Sequence, residues 1–535
     1  MRKKLLMLVS ICVLISSFLL INKIQKVNFT LFNSVSTSRI EELKTTLQQQ
    51  AELDFTALLC NETRVPFDET SNTFYVPLDM DHAEWEILKF TSGQSEFSVL
   101  FEEDITKQDK QQMIAEGKKI NLLVYNQNSW SNYYVVFTGL PIIDLATNEG
   151  FYATEDITGV AVFYDTDFAL HGTKQSEYNG HIRGNTSRMF PKKGYKLNLT
   201  YNNEYGEVDN NKLSLFGMRE DDDWILYALY NDDTKLRDAL SMEVWDKFGA
   251  KAVSENSYYG TKMTYVEVFA DNRYCGLYGL MEPVDAKQLS LAEEDYSYKR
   301  KNPGGLLYKY KDFAESAAND VEIEGFEIKD GMLQEGAWKP MAYLTSILTK
   351  IEKEDYFTEQ DVINEDSLVR MWLFMQIMTG HDHTAKNIFY VAKYDKGLKH
   401  DYQFYFAPWD MDLTWGNVSV GEINPYYTDF EIDTYDNRVR WDTADWFVDS
   451  NFNGVRDKAE TLYENLRNTE LTDEAIEEMI NSLDHIIRDS GAFARDKERW
   501  PEGTHAENCD TLIEYAKKRL NFLDKAIYDF DYFEQ

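Results

Sequence analysis

A change of hydrophobic period part-way along the chain restricts its fold more than any other feature. Between about residues 160 and 285 apolar and polar side chains alternate in short runs, the period of half-buried strands. Strands are predicted at 160–164, 196–200, 265–270 and 276–280, with Asp271-Asn272 as a turn between the last two. One helix interrupts them at 235–248. There Leu236, Leu240, Val244 and Phe248 recur every four residues and Gly249 stops the pattern. Beyond residue 285 the helical period takes over, at 333–353, 359–379 and through 456–530. A single hairpin, 388–393 with 402–407, is joined through Asp395-Lys396-Gly397. Strands followed by helices predict an α+β, two-lobed chain.

At 535 residues the chain is too long for one core. Lobes of 159–285 and 286–535 would follow a β-rich region at 56–158, with short runs at 74–78, 120–125 and 133–137 and no chemical motif. Residues 27–55 read as a helical stalk, with a capping pattern in Ser38-Arg39-Ile40-Glu41-Glu42-Leu43. Ahead of it, Met1-Arg2-Lys3-Lys4 precedes an apolar run of seventeen residues, 5–21, the lower limit for crossing a bilayer. No small-residue cleavage site follows at once, and the flanking bases weakly favour the N-terminus inside. Residues 1–26 are therefore expected to be an uncleaved signal anchor in the cell membrane. A cleaved signal peptide and a secreted protein is the alternative. Either places the globular part outside the cytoplasm.

Ninety-two acids against fifty-five bases leave a formal charge of −37, which excludes nonspecific binding to a nucleic-acid backbone. Four cysteines cannot make a disulfide scaffold, and Cys60, Cys275 and Cys509 lack metal-ligand spacing, so buried or free thiols are expected.

Three segments have compositions that chemistry would explain. His181-Ile182-Arg183-Gly184-Asn185-Thr186-Ser187-Arg188 gathers two arginines, a glycine and hydroxyls before a strand, a set suited to phosphate oxygens. Lys196 follows within the alternation Tyr195, Leu197, Leu199 and should point away from them. Gly380-His381-Asp382-His383-Thr384-Ala385-Lys386-Asn387 follows an apolar helix. Its Asp382 and Asn387 are five apart, as in a protein-kinase catalytic loop, where a carboxylate takes the hydroxyl proton and an amide oxygen binds metal. Pro408-Trp409-Asp410-Met411-Asp412 sets two hard carboxylates at a strand end, as Mg²⁺ or Mn²⁺ requires. Taken singly, each also reads as an ordinary hairpin, helix cap or acidic turn.

Together the segments resemble the CotH kinase family, spore coat protein H and its relatives. The likeness rests on Arg183-Gly184-Asn185-Thr186-Ser187 through Pro191-Lys192-Lys193-Gly194-Tyr195-Lys196-Leu197 and on Leu236-Arg237-Asp238-Ala239-Leu240. It continues through Gly276-Leu277-Tyr278-Gly279-Leu280-Met281-Glu282-Pro283-Val284-Asp285, Asp382 to Asn387, and Pro408 to Asp412. The resemblance implies an atypical protein-kinase-like fold that binds ATP with Mg²⁺ or Mn²⁺ and phosphorylates Ser or Thr of a surface or spore-coat protein. It makes Asp382 the catalytic base and Lys196 the lysine on the α/β-phosphates. Arg183, Gly184, Asn185 and Ser187 would form the phosphate-binding turn. Glu243 would pair with Lys196, and Glu282 and Val284 would line the adenine hinge. Asn387, Asp410 and Asp412 would hold metal, while Lys386 would neutralise phosphate or lie exposed. His383 occupies a position where many relatives carry Arg. A non-catalytic surface scaffold, a nucleotide transfer such as AMP attachment, and a zinc hydrolase on His181, His381 and His383 stay open as other readings.

Overall fold

A computed structural model describes residues 37–81, 85–106, 108–152, 155–184, 186–249, 260–301, 323, 325–333, 335–352, 362–384, 386–419, 428–429 and 436–534. The anchor expected at 1–26 lies outside the described residues, and no described helix is long and apolar enough to cross a membrane. The stalk is described from Thr37 onward. A helix, Thr37–Thr46, presses Ile40 and Leu43 against Leu123 and Trp130, and Gln48–Gln49 joins a sheet.

That sheet comprises β1 (Phe67–Asp68), β2 (Thr73–Pro77), β3 (Ser98–Phe101), β4 (Ile120–Tyr125) and β5 (Ser129–Thr138), in the order β1-β2-β5-β4-β3. The next strands are β6 (Ile142–Thr147), β7 (Asp156–Tyr164), β8 (Lys174–Arg183), β9 (Gly194–Asn202), β10 (Val208–Asn210), β11 (Asp223–Tyr227), β12 (Met263–Ala270) and β13 (Arg273–Met281). They run β8-β7-β6-β12-β13-β11-β9-β10, and β8 also pairs with β9. The strand ring is thereby closed into a barrel, with β10 as a short appendage. Only β6 with β12 is parallel within the ring. The strand β6, read from the sequence as part of the β-rich region, belongs to this barrel.

Alternation fills the barrel. Tyr195, Leu197 and Leu199 share one interior cluster with Trp224, Leu226, Val266, Val268, Tyr278 and Leu280. The intervening side chains face out. Ile225, Tyr265, Leu277 and Met281 join the core of the helical half, while Tyr164, Phe269 and Tyr274 pack on the first sheet. The β12–β13 turn, Asp271-Asn272, has φ of 50° and 58°, the left-handed pair that suits a two-residue hairpin.

Between β11 and β12 stands α1 (Arg237–Phe248). The helical half contains α2 (Lys339–Glu352), α3 (Glu365–Met378), α4 (Val455–Arg467), α5 (Asp473–Asp489), α6 (Ala492–Arg499) and α7 (Asp510–Ala526). A third sheet, β15-β14-β16-β17, is built from β14 (Tyr296–Arg300), β15 (Phe326–Asp330), β16 (Ile388–Tyr394) and β17 (Tyr402–Pro408). The helix α3 is buried on nearly every side, so its apolar run Met371–Met378 reads as core and positions the loop that follows it. Cys60, Cys275 and Cys509 are buried free thiols.

Candidate functional site

The loop after α3 begins with Thr379 in the left-handed region, φ 52°, which ends the helix; Gly380 N–H then donates to Met375 O at 3.0 Å. One 3₁₀ turn, His381–Thr384, carries Asp382. Asn387, immediately before β16, and Asp410, just beyond β17, both adopt left-handed backbone, φ 62° and 60°. Asn and Asp tolerate that region better than other side chains do. The two positions are tied together: Trp409 N–H donates to Asn387 O at 2.9 Å, and Asn387 Nδ2 lies 3.4 Å from Asp410 O. The same Nδ2 donates to Asp382 Oδ2 at 2.9 Å, and Lys386 Nζ sits 2.9 Å from that oxygen. Asp382 Oδ1 has no hydrogen-bond partner among the described residues, and its carboxylate is 21% exposed. Asp382 is thus anchored through one oxygen and open through the other.

His383 is enclosed beneath this turn. Its Nε2–H donates to Trp409 O at 3.0 Å, and burial lowers its pKa to about 4, so the ring is neutral at pH 7. The imidazole is a strut between the two loops and does not replace an arginine's charge.

Asp412 Oδ2 accepts from Asn231 Nδ2 at 2.6 Å. Asp238, 1% exposed near the start of α1, accepts the Met411 N–H at 3.0 Å through Oδ1. Burial first, then the Asp410 charge, push the Asp412 carboxyl up to about 7. Burial, with Asp412 and Asp410 next, drives Asp238 well above the ordinary carboxylate value. The Asp410 carboxylate makes no ion pair or hydrogen bond among the described residues. Asp238, Asn231 and Lys299 were not assigned roles from the sequence. For Asp238 the available signal was its place in the block Leu236-Arg237-Asp238-Ala239-Leu240, which carries part of the family resemblance.

Facing the acids are cations. Arg183 ends β8, and Gly184 turns the chain at φ 101°, a left-handed value that favours glycine; a Cβ there would fall 1.9 Å from Ser187 Oγ, which would have to move. Asn185 lies outside the described residues. Lys196 points out of the barrel, in register with His181 and Ile225, as the alternation predicted. Its carboxylate partner is Asp223, at 3.1 Å. The expected pairing with Glu243 is not formed. Asp238 faces the acids, and five residues of helix carry Glu243 about 140° round the axis. Glu243 instead lines a cleft of about 770 Å³ with Lys262 and Met263. Lys299 of β14 and Lys329 of β15 belong to the same group: burial lowers the Lys329 pKa, Asp330 opposes that, and Lys196 and Arg183 add to it. Burial brings Lys299 down to about 8, opposed by Asp410.

Glu282 and Val284 are built into the interior. The Glu282 carboxylate accepts from Arg219 N–H at 2.9 Å, its carbonyl accepts the Thr261 hydroxyl, and its N–H donates to Lys262 O at 3.1 Å. Val284 packs in the main core. The Glu282 backbone groups are therefore engaged within the protein instead of lying open as an adenine hinge.

The family model described as CotH kinase protein matches residues 181–523. The chain belongs to the CotH kinase protein family. No curated protein matches it. Every site residue from Arg183 to Asp412 falls inside the stretch shared with the CotH family, whereas the first sheet and most of β8 precede it. Among the described residues no three His, Cys, Asp or Glu side chains are arranged to hold a metal ion by themselves. That disfavours zinc, whose sites need three or four protein ligands. It is compatible with Mg²⁺ or Mn²⁺, which take one or two carboxylates and complete their shell with water and phosphate. The unpartnered Asp410 carboxylate beside Asp412 fits that second case.

Proposed function

We propose that the chain is an atypical protein kinase that transfers the γ-phosphoryl group of ATP to a Ser or Thr hydroxyl of an extracytoplasmic, surface or spore-coat protein. Its barrel would serve as the N-lobe and its helical half as the C-lobe of a kinase-like fold. One observation carries the reading. Asp382 is held by Asn387 and Lys386 through one oxygen, with the other open, in a loop tied to Asp410 and facing a group of cations.

In this reading Asp382 Oδ1 accepts the proton of the substrate hydroxyl. The substrate hydroxyl oxygen, as it loses that proton, forms a bond to the γ-phosphorus while the bond to the β–γ bridging oxygen breaks and ADP departs. Lys386 orients Asp382 through the oxygen that does not take the proton. Arg183, Lys196 and Lys299 bind phosphate oxygens, whose charge they offset within a partly dry site. Asp410 and Asp412, with Asn387, would hold Mg²⁺ or Mn²⁺, which supplies further neutralisation of the phosphate charge.

The test is transfer of label from γ-labelled ATP by the full chain in detergent, with Mg²⁺ or Mn²⁺, to itself and to a basic protein. Asp382→Ala should lower transfer by roughly 10²–10⁴-fold and leave ATP-dependent thermal stabilisation intact. Asp410→Ala should lose both. Full turnover in both variants would refute the site, and label from the α- but not the γ-phosphate would identify nucleotide transfer. If ATP neither binds nor reacts, the scaffold reading takes over.

A further inference from the structure

The cleft of about 770 Å³ that Glu243 lines opens where α1 and α5 meet the rim of the barrel, and no residue placed at the phosphate site borders it. Its wall is apolar: Leu140 ahead of β6, Met218 ahead of β11, Met242 of α1, Met263 of β12, and Leu483 and Ile486 of α5. Met263 lies over Gly279 of β13, where a Cβ would fall 2.2 Å from its Sδ, so the missing side chain leaves room for the thioether. Ile486 stands outside the buried stripe of α5, which runs through Ile476, Met479, Ile480, Leu483 and Ile487, and it is 45% exposed. A polar side chain is the rule at such a position. Three methionines in one wall adapt their shape to an entering side chain.

The rim carries charge that the chain leaves unanswered. Glu243 and Asp246, one turn apart on α1, are exposed and form no ion pair or hydrogen bond among the described residues. Lys247 lies 3.9 Å from Glu470, and Lys262, the other cation on the rim, is likewise engaged. The uncompensated charge beside the apolar wall is therefore negative. Its complement is a segment that carries large apolar side chains next to Lys or Arg. A second copy of this chain would bring 37 more excess negative charges, which disfavours it as the occupant.

We infer that the cleft between α1, α5 and the barrel rim is a docking site for an apolar, basic segment of a partner protein. Apolar side chains of that segment enter against Met242, Met263 and Ile486, while its cations meet Glu243 and Asp246. Since the cleft shares no residue with the phosphate site, the inference stands apart from the phosphotransferase reading.

The probe is a short, dye-labelled peptide of leucine and lysine, with leucine at helical spacing, and its leucine–glutamate counterpart. Fluorescence anisotropy measures binding to the full chain in phosphatidylcholine nanodiscs at physiological salt, with empty discs subtracted. Wild type should bind the leucine–lysine peptide about tenfold more tightly than the leucine–glutamate one. Ile486→Ser, and separately Glu243→Lys with Asp246→Lys, should each weaken the leucine–lysine peptide about tenfold. Glu474→Lys with Glu478→Lys makes the same charge change on the exposed face of α5 and should leave binding unaltered. Equal weakening by that control pair would show attraction by bulk charge and overturn the site. So would wild type that binds neither peptide, or both alike. A wild-type dimer in sedimentation that Ile486→Ser converts to monomer overturns the partner segment in favour of a second copy. Should either cleft variant fail to fold, the other decides against the same control.

Discussion

An imidazole sealed from water stays neutral unless a carboxylate compensates it, and at His383 burial outweighs the attraction of Asp382 and Asp410. Its pKa falls from 6.5 to about 4 on folding. Between those values the unfolded chain binds a proton that the folded chain refuses, so stability falls as pH drops from 6.5 towards 4. The loss from this one group reaches about 3 kcal/mol. His383→Gln keeps a donor for Trp409 O and removes the titration. Urea midpoints of wild type and variant, measured from pH 7 to 4.5, should therefore diverge in slope, with the variant the flatter. Parallel slopes would show that His383 titrates in the folded state. The family pattern put His383 where many relatives carry Arg; neighbours in a 3₁₀ turn point in different directions, and burial decided which one meets solvent. Lys299 was hidden for the opposite reason. One lysine in Tyr296–Arg300 looks like any strand lysine until register sets it beside Trp409.

Strands and helices were largely legible because period is local. The predicted 235–248, 388–393 and 402–407 appear as Arg237–Phe248, Ile388–Tyr394 and Tyr402–Pro408. Closure of the barrel was not legible, since the β11–β13 and parallel β6–β12 pairings join segments far apart in the sequence. Gly276 shows how packing selects a residue within a strand. It has φ 118°, next to a register shift between Val268 and Phe269, and a Cβ on it would lie 2.5 Å from Asp496 Oδ1 and 3.0 Å from Trp500 Nε1. Both groups bond to this strand: Asp496 Oδ1 accepts Leu277 N–H at 3.0 Å, and Trp500 Nε1 donates to Cys275 O at 2.8 Å. Gly276→Ala therefore combines backbone strain with displacement of α6 and should cost about 2–4 kcal/mol in urea unfolding. Gly206→Ala supplies the control. It also has positive φ, 78°, but nothing within 4 Å of its Cβ, so it should cost only about 1–2 kcal/mol. Equal losses would mean that α6 does not press on β13.

For the molecule as a whole, α6 joins the barrel to the helical half through two buried ion pairs. Arg495 Nε is 2.8 Å from Glu267 Oε1 on β12, and Lys192 Nζ is 2.7 Å from Asp496 Oδ1, each with little or no exposure. Lys192 leads from the Arg183–Ser187 turn into β9, so the helix that fastens the two halves also fixes the root of the cation-bearing turn. Buried pairs of this kind add little stability over apolar packing, but removal of one partner strands the other charge. Asp496→Ala should therefore cost about 3–5 kcal/mol, because the Lys192 ammonium, whose pKa burial already lowers, loses its carboxylate. Lys192→Met in the same chain removes the stranded charge and should restore more than half of that loss. A double-mutant cycle on the full chain, followed by tryptophan fluorescence and far-ultraviolet dichroism together, measures the coupling. Coincident curves in wild type are expected of two halves locked by α6, and curves that separate in Asp496→Ala would place the lock at this pair. If Lys192→Met restores nothing, the cost of Asp496→Ala comes from the lost Leu277 N–H acceptor instead.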